Sequence, residues 1–501
     1  MATVAPTKPR AGRNAELALL ILALAIGIGA YCIVGLNLDG AIPEGIGLFA
    51  AVLVGMAGIT HVVLRWRAPH ADPAILPLVV GLNGLGLAMI FRIDQSLAAR
   101  GLTAGFANRQ LMWTALGITL ALIVLIVLRD HRTLRRYPFL SMIVGLVLLL
   151  LPMAPVIGQT INGARLWIGI AGLSFQPAEL AKIALAIFFA GYFVTRRDAL
   201  TLAGGKMLGL QLPRFWDLAP IVVIWLVSVG VLVIERDLGT SLLFFGMFVA
   251  MLYVATEKVS WIIIGLALVG VGLVFAYTTF DYVAARFTVW LHALDPEVFN
   301  RDPGGSGQLV RGLFGLAAGG LTGTGLGEGN PSLVPYANSD FIIASFGEEL
   351  GLTGLLAILM IYLVLAQRGL RTAIGVRDGF GKLLASGFAF VIAFQVFVVV
   401  GGVTRLIPLT GLTMPFLAAG GSSLVANWII VAILLRISDA ARRPAPSGSG
   451  GVVGNETAAL ALSELASNPA QSASAAATPG SRPPAHPDLP EGENPTEVVR
   501  P

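Results

Sequence analysis

Twelve apolar runs, each long enough to cross a bilayer, recur along this chain, at 16–36, 46–64, 75–92, 110–128, 138–157, 177–195, 218–235, 239–256, 260–279, 340–366, 383–402 and 415–436. About 20 apolar residues in helical form span the roughly 30 Å hydrocarbon core. Inside lipid every backbone N–H and C=O needs an internal partner, which leaves only helices and closed barrels. A barrel alternates apolar and polar residues in segments of about ten; these runs are continuous. Composition excludes a soluble alternative. The chain is 56% hydrophobic and 12% charged, with a mean hydropathy of +0.82, against about 25% charged residues in ordinary globular domains. The expected fold class is an all-α polytopic membrane protein, with about twelve transmembrane helices and one large extracytoplasmic loop.

The net charge of +5 and the basic pI of about 9.5 do not point to nucleic acid, because loops on the cytoplasmic side of membrane proteins collect Lys and Arg. The single cysteine, Cys32, excludes an intramolecular disulfide. The five histidines are scattered and form no His-x-x-x-His pair, so no zinc motif is present.

Basic residues set the orientation. With a cytoplasmic N-terminus, 18 basic residues between the first span and Arg443 fall inside and nine outside, which places both termini in the cytoplasm. The first run follows Lys8, Arg10 and Arg13 like a signal peptide, but it is too long and lacks a cleavage site, so it reads as a retained span. Residues 280–339 form a loop of about sixty residues on the outer face. Loops of that length are usually functional or disordered, and the apolar stretch 313–318 predicts that this one folds onto the bundle. Residues 441–501, rich in Ala, Pro, Ser and Gly, read as a disordered cytoplasmic tail. The expected organisation is 1–72, an N-terminal segment with two helices; 73–440, the membrane core with its loop; and 441–501, the tail.

Polar groups at membrane depth are costly and are functional candidates by default. Glu179 and Lys182 stand three apart on one helix face, either as a local ion pair or as a pair that positions a substrate. Trp167, in NGARLWI at 162–168, suits an interfacial anchor or a cavity wall. In the turn ERDLGTS at 235–241, Asp237 at the helix start is the candidate, the other charges reading as a solvated connection. The loop carries Asp295-Pro296 and Asp302-Pro303, the latter before two glycines; this is turn chemistry, and it also lets an aspartate approach a bulky ligand. The glycines of GTGLG at 323–327 lack a preceding strand and any βαβ unit, so they are not a dinucleotide site. Asp340 suits a helix N-terminus; Glu348 and Glu349 lie two turns deeper. Arg405 reads either as a snorkelling side chain or as a partner for a carboxylate or phosphate.

In these stretches the chain resembles the SEDS family (shape, elongation, division and sporulation proteins), and within it the rod-elongation branch. The residues that carry the likeness are NGARLWI at 162–168, QPAELAK at 176–182, DLGTS at 237–241, DPGGSG at 302–307, GTGLG at 323–327, SDFIIASFGEELG at 339–351, and LIPLTGLTMPF with GGSS across 406–423. They stand in family order from about residue 75 to 440. The family usually has ten spans, so those at 16–36 and 46–64 resemble an N-terminal addition.

The resemblance implies a peptidoglycan glycosyltransferase of the bacterial cytoplasmic membrane. It polymerises lipid II on the outer face beside a class B penicillin-binding protein. It implies that Asp302 is the general base that takes a proton from the acceptor hydroxyl. Developing charge on the pyrophosphate leaving group must be met by cations, and Lys182, Arg165 and Arg405 are the candidates; a divalent cation, Mg or Mn, can share that task. Glu179 would pair with Lys182, and Trp167 would line the cavity. Three departures stand out: Gln308 follows the Gly-x-Gly directly, Ala418-Ala419 replaces Ser-Tyr, and Arg311-Gly312 replaces Gln-Ser. The alternatives are a lipid II flippase, the division-type polymerase of the same family, and a scaffold for the penicillin-binding protein.

Overall fold

The computed structural model describes residues 12–444, apart from 103–104, 156, 162–163, 171, 203–205, 208–209, 212–225, 228–229, 231–235 and 302. Residues 12–443 belong to one compact unit. Among the described residues ten helices are long and apolar enough to cross a membrane. They are α1 (Arg13–Asp39), α2 (Ile46–Arg67), α3 (Ile75–Ala98), α4 (Phe106–Val127), α6 (Ala178–Leu202), α7 (Leu238–Thr256), α8 (Ser260–Thr279), α12 (Ile342–Gly375), α13 (Gly379–Val403) and α14 (Gly421–Arg442). Ten of the twelve expected spans correspond to these helices. The expected span at 218–235 lies outside the described residues, as does most of the expected tail.

One expected span is shorter than its apolar run. The run at 138–157 gives only α5 (Pro138–Leu150) and a 3-10 turn at Leu151–Met153. Pro152 lacks the N–H needed to continue the helix, and thirteen residues rise only about 20 Å. The helical bundle also carries a small sheet that the expectation did not include. Strands β1 (Gly158–Ile161), β2 (Ala164–Ile170) and β3 (Leu173–Phe175) form an antiparallel sheet in the order β1-β2-β3. Its signal was present in the sequence: Asn162-Gly163 between two short runs that include isoleucine is a strong hairpin dipeptide.

Most of α3, α6 and α14 is buried, whereas α8 is almost entirely exposed. Lipid provides no hydrophobic drive between helices, so close packing and polar contacts decide which faces meet. Helix α1 packs along α3 where Gly27 and Gly84 cross; a Cβ added at Gly27 would stand 3.0 Å from Gly84 Cα. At the bundle end that carries both chain termini of this unit, His61 Nδ1 lies 2.7 Å from Glu16 Oε1, and Glu16 also pairs with Arg13. Asp72, at 1% side-chain exposure, pairs with Arg442. The first contact ties α2 to α1, and the Asp72 contact ties the segment before α3 to α14.

The same end holds Asp378, which caps α13 by accepting from Gly381 N at 2.8 Å and lies 2.8 Å from His131 Nε2. Burial alone would raise its carboxyl pKa; the His131 contact and the Gly381 amide outweigh burial and lower it from 3.8 to about 2. A depressed carboxylate adds stability above its unfolded value and loses it as pH falls through the folded one. The melting-temperature gap between wild type and Asp378→Asn is therefore expected to be flat above about pH 4 and to close toward about pH 2. A gap that stays constant across that window refutes the assignment.

The 280–339 segment folds onto the bundle, as expected. It forms α9 (Asp281–Leu291), α10 (Pro296–Phe299) and α11 (Gly307–Gly319), with α11 packed on α12. Helix α12 breaks at Gly351, whose φ of 68° and ψ of −172° suit only glycine. The break leaves backbone groups without partners, and the glycine-rich loop supplies them. Thr324 N and Gly325 N donate to the carbonyls of Glu348 and Glu349, and Leu352 N and Thr353 N donate to those of Gly320 and Leu321, at 2.9–3.1 Å. Side chains tighten the junction: Glu349 accepts from Arg92 Nε at 2.8 Å and Gly327 N at 2.9 Å, and Glu348 Oε1 from Asn330 N at 2.7 Å. The glycines of 323–327 therefore serve backbone docking.

Candidate active site

Polar groups from α6, α7, α9, α13 and the 404–420 segment converge at the bundle end beneath the 280–339 loop. Pro177 precedes α6, and one turn separates Glu179 from Lys182. Their ion pair is 2.5 Å long, with side-chain exposures of 9% and 2%. An ammonium that deep is tolerable only when paired. Lys182 Nζ also donates to Gln395 Oε1 at 3.5 Å, and Gln395 Nε2 donates to Thr413 O at 2.8 Å. Gln395 thus links α6, α13 and the 404–420 segment. It was missed in the sequence, although an amide inside an apolar span is a signal of function.

Asp237 caps α7: Oδ1 accepts from Thr240 N at 2.9 Å and Oδ2 from Thr240 Oγ1 at 2.6 Å. Gln176 Nε2 donates to the same Oδ2 at 3.1 Å, so α6 and α7 start side by side. Burial pushes the Asp237 carboxyl pKa up, the Thr240 hydrogen bonds and the Arg286 charge pull it down, and the Glu179 charge adds to the rise. Arg286, on α9, donates from Nη1 to Leu409 O at 3.0 Å and Thr410 O at 3.1 Å. Asp340, which accepts from Ser339 Oγ at 2.9 Å, is likewise raised by burial and lowered by Ser339 and Arg286.

Arg286 and Asp340 face a cavity of about 800 Å³, whose wall also includes Pro303, Gly304, Gly305 and Gln308. Asp302, the expected base, lies outside the described residues; its neighbours Pro303, Gly304 and Gly305 line this cavity. Glu179, Lys182 and Asp237 stand behind the wall. Lys182 reaches it through Gln395 and Thr413, two residues from the lining Gly411.

The other expected residues are placed differently. Arg405 takes a left-handed φ of 60° and donates from Nε to Trp290 O and from Nη2 to Leu291 O, each at 2.7 Å. Trp290 Nε1 returns a bond to Arg405 O at 3.0 Å. Its donors clamp the end of α9, and it does not line the cavity. Arg165, on β2, donates to Ala154 O at 3.0 Å. Trp167 is half-buried on the same strand opposite Gln159. Arg286 is the arginine on the cavity wall, and its loop position gave no sequence signal. Among the described residues no three His, Cys, Asp or Glu side chains come together to hold a metal ion.

Residues 73–443 match the FtsW/RodA/SpoVE cell cycle protein family, and the chain belongs to that family. The match leaves α1 and α2 outside it. The peptidoglycan glycosyltransferase RodA of Mycobacterium tuberculosis is 48% identical over 449 residues, covering 88% of this chain and 94% of that protein. A probable peptidoglycan glycosyltransferase FtsW of Trichlorobacter lovleyi is 33% identical over 381 residues, covering 74% and 94%. Among solved structures, a chain of a peptidoglycan synthase complex that coordinates polymerization and crosslinking aligns with a TM-score of 0.59 at 25% identity, covering 75% of this chain and 99% of that one. RodA of Thermus thermophilus has the same fold, with a TM-score of 0.53 at 24% identity, covering 76% and 100%.

Proposed function

We propose that this chain is a peptidoglycan glycosyltransferase that polymerises lipid II into glycan strands at the outer face of the bacterial cytoplasmic membrane, in the service of elongation. The observation that carries the reading is the cavity beneath the 280–339 loop. Residues 303–305 of the Asp-Pro-Gly-Gly motif and Arg286 line it, in a chain 48% identical to a peptidoglycan glycosyltransferase across most of its length. The higher identity to RodA than to FtsW, 48% against 33%, favours elongation over division.

In this reading the sugar end of the substrate occupies the cavity and the polyprenyl tail stays in lipid. Asp302 takes the proton from the 4-hydroxyl of the acceptor GlcNAc. That oxygen attacks C1 of the donor MurNAc, the bond from C1 to the pyrophosphate oxygen breaks, and configuration at C1 inverts. Lipid pyrophosphate leaves with both bonding electrons. Arg286 is the cation best placed to meet that charge, because it lines the cavity and Arg405 and Arg165 do not. The basic-residue bias puts both termini in the cytoplasm and the loop outside. A class B penicillin-binding protein is the proposed partner, supported by the synthase complex among the structural neighbours.

A flippase of the same shape is the competing reading. Transporter sites lie near the bilayer midplane, whereas this cavity sits at one end of the bundle. Purified protein with its penicillin-binding protein is expected to convert labelled lipid II into glycan chains. In proteoliposomes it is expected to leave the transbilayer distribution of lipid II unchanged. Translocation without polymer would overturn the proposal.

A further inference from the structure

A second cavity, of about 620 Å³, adjoins the first. The same two segments border both. On α11, Gln308 and Leu309 line the first, and Arg311, Phe314 and Gly315 line the second. On the facing segment Tyr336 lines the first, and Val334 and Pro335 the second. About one helical turn, roughly 5.4 Å, separates the parts of α11 that line the two cavities.

The polar groups of the second cavity differ from those of the first. Arg100 Nη1 holds Ser332 O at 2.8 Å, which steadies the wall. Glu348 presents Oε1 to Asn330 N at 2.7 Å. Its Oε2 lies 3.6 Å from where a Cβ at Gly315 would stand, so the glycine leaves that oxygen uncovered. Arg311 is exposed and, among the described residues, has no hydrogen-bond or ion-pair partner. A wall with an uncommitted guanidinium, a carboxylate oxygen and amide groups suits an extended chain of amides that carries carboxylates.

The substrate read above has such a chain. Its peptide branches from the same MurNAc ring whose C1 reacts, so a sugar seated in the first cavity must send its peptide through an adjoining opening. A peptide stem of five extended residues spans about 17 Å, enough to reach past one turn of α11. We propose that the second cavity holds the peptide stem of the lipid-linked substrate, with Arg311 pairing with a stem carboxylate as a specificity-determining residue. This rests on the glycosyltransferase reading.

The test compares two substrates, lipid II with its natural acidic stem and lipid II whose stem carboxylates have been converted to amides. Arg311→Gln is expected to raise KM for the acidic stem about tenfold, as the loss of one charged hydrogen bond does, with kcat unchanged. The amidated substrate should show the same KM with wild type and variant, and Arg311→Lys should recover most of the loss. An equal rise in KM for both substrates, or none for either, overturns the stem assignment. So does an effect that appears only in vesicles of anionic phospholipid regardless of the stem, which would mark a lipid headgroup site. If the wild type makes polymer but Arg311→Gln behaves like it, only this inference fails; if the wild type makes none from either substrate, the glycosyltransferase reading falls and takes this one with it.

Discussion

Asp302→Asn is expected to lower glycan polymerisation by roughly 10²–10⁴-fold, the usual contribution of a positioned general base. Asparagine matches the shape of aspartate and cannot accept the proton, so folding and expression should be unaffected. The assignment rests on the Asp-Pro-Gly-Gly motif and on the cavity its following residues line. Asp295 offers a control of the same dipeptide. Its carboxylate is 59% exposed and lies 3.1 Å from His292 Nδ1, and it does not line the cavity, so Asp295→Asn should stay within about threefold of wild type, the change expected of a surface substitution. The measurement is chain formation from labelled lipid II by purified protein with the proposed penicillin-binding protein partner. Equal polymer from Asp302→Asn and wild type, or equal losses from both variants, would remove Asp302 from the mechanism.

The second large effect belongs to the buried pair. Lys182→Met leaves Glu179 without its cation at 9% side-chain exposure. Removing one partner of a buried pair costs about 3–5 kcal/mol, which should appear as a clear drop in melting temperature. The double variant Glu179→Gln, Lys182→Met removes both charges and should regain most of that stability, because apolar or neutral replacements of a buried pair are often neutral. Turnover should not return. Lys182 positions Gln395, and Gln395 holds Thr413 beside the lining Gly411; a displacement of about 1 Å in such a wall costs roughly 10²-fold. A single variant that melts like wild type, or a double variant that regains full turnover, contradicts this account.

How far the site was legible depended on how local its causes were. The ion pair of Glu179 and Lys182 follows from a spacing of three on a helix. The cap at Asp237 follows from an aspartate three residues before Thr240 at a helix start. The sheet at 158–175 was legible in the Asn162-Gly163 dipeptide, but it was overshadowed by the apolar character of the whole chain. Arg405 was misleading for a different reason. Its chemistry suits an anion, yet the fold delivers the end of α9 to it, 114 residues away in sequence, and two carbonyls take its donors. The same helix carries Arg286 to the cavity wall, and nothing in the spacing of loop residues sets which of the two arginines faces a ligand.

Local sequence alone therefore determined the class of protein, the approximate positions of its membrane helices and the motifs of its family, because bilayer thickness and helical periodicity act on contiguous residues. Only the tertiary structure decided that Arg286 faces the cavity while Arg405 clamps a helix end. It also decided that Glu348 and Glu349 repair a break in α12, and that one turn of α11 separates two cavities. Those outcomes depend on which backbone groups distant segments leave unsatisfied when they meet, and no residue carries that information in its own neighbourhood.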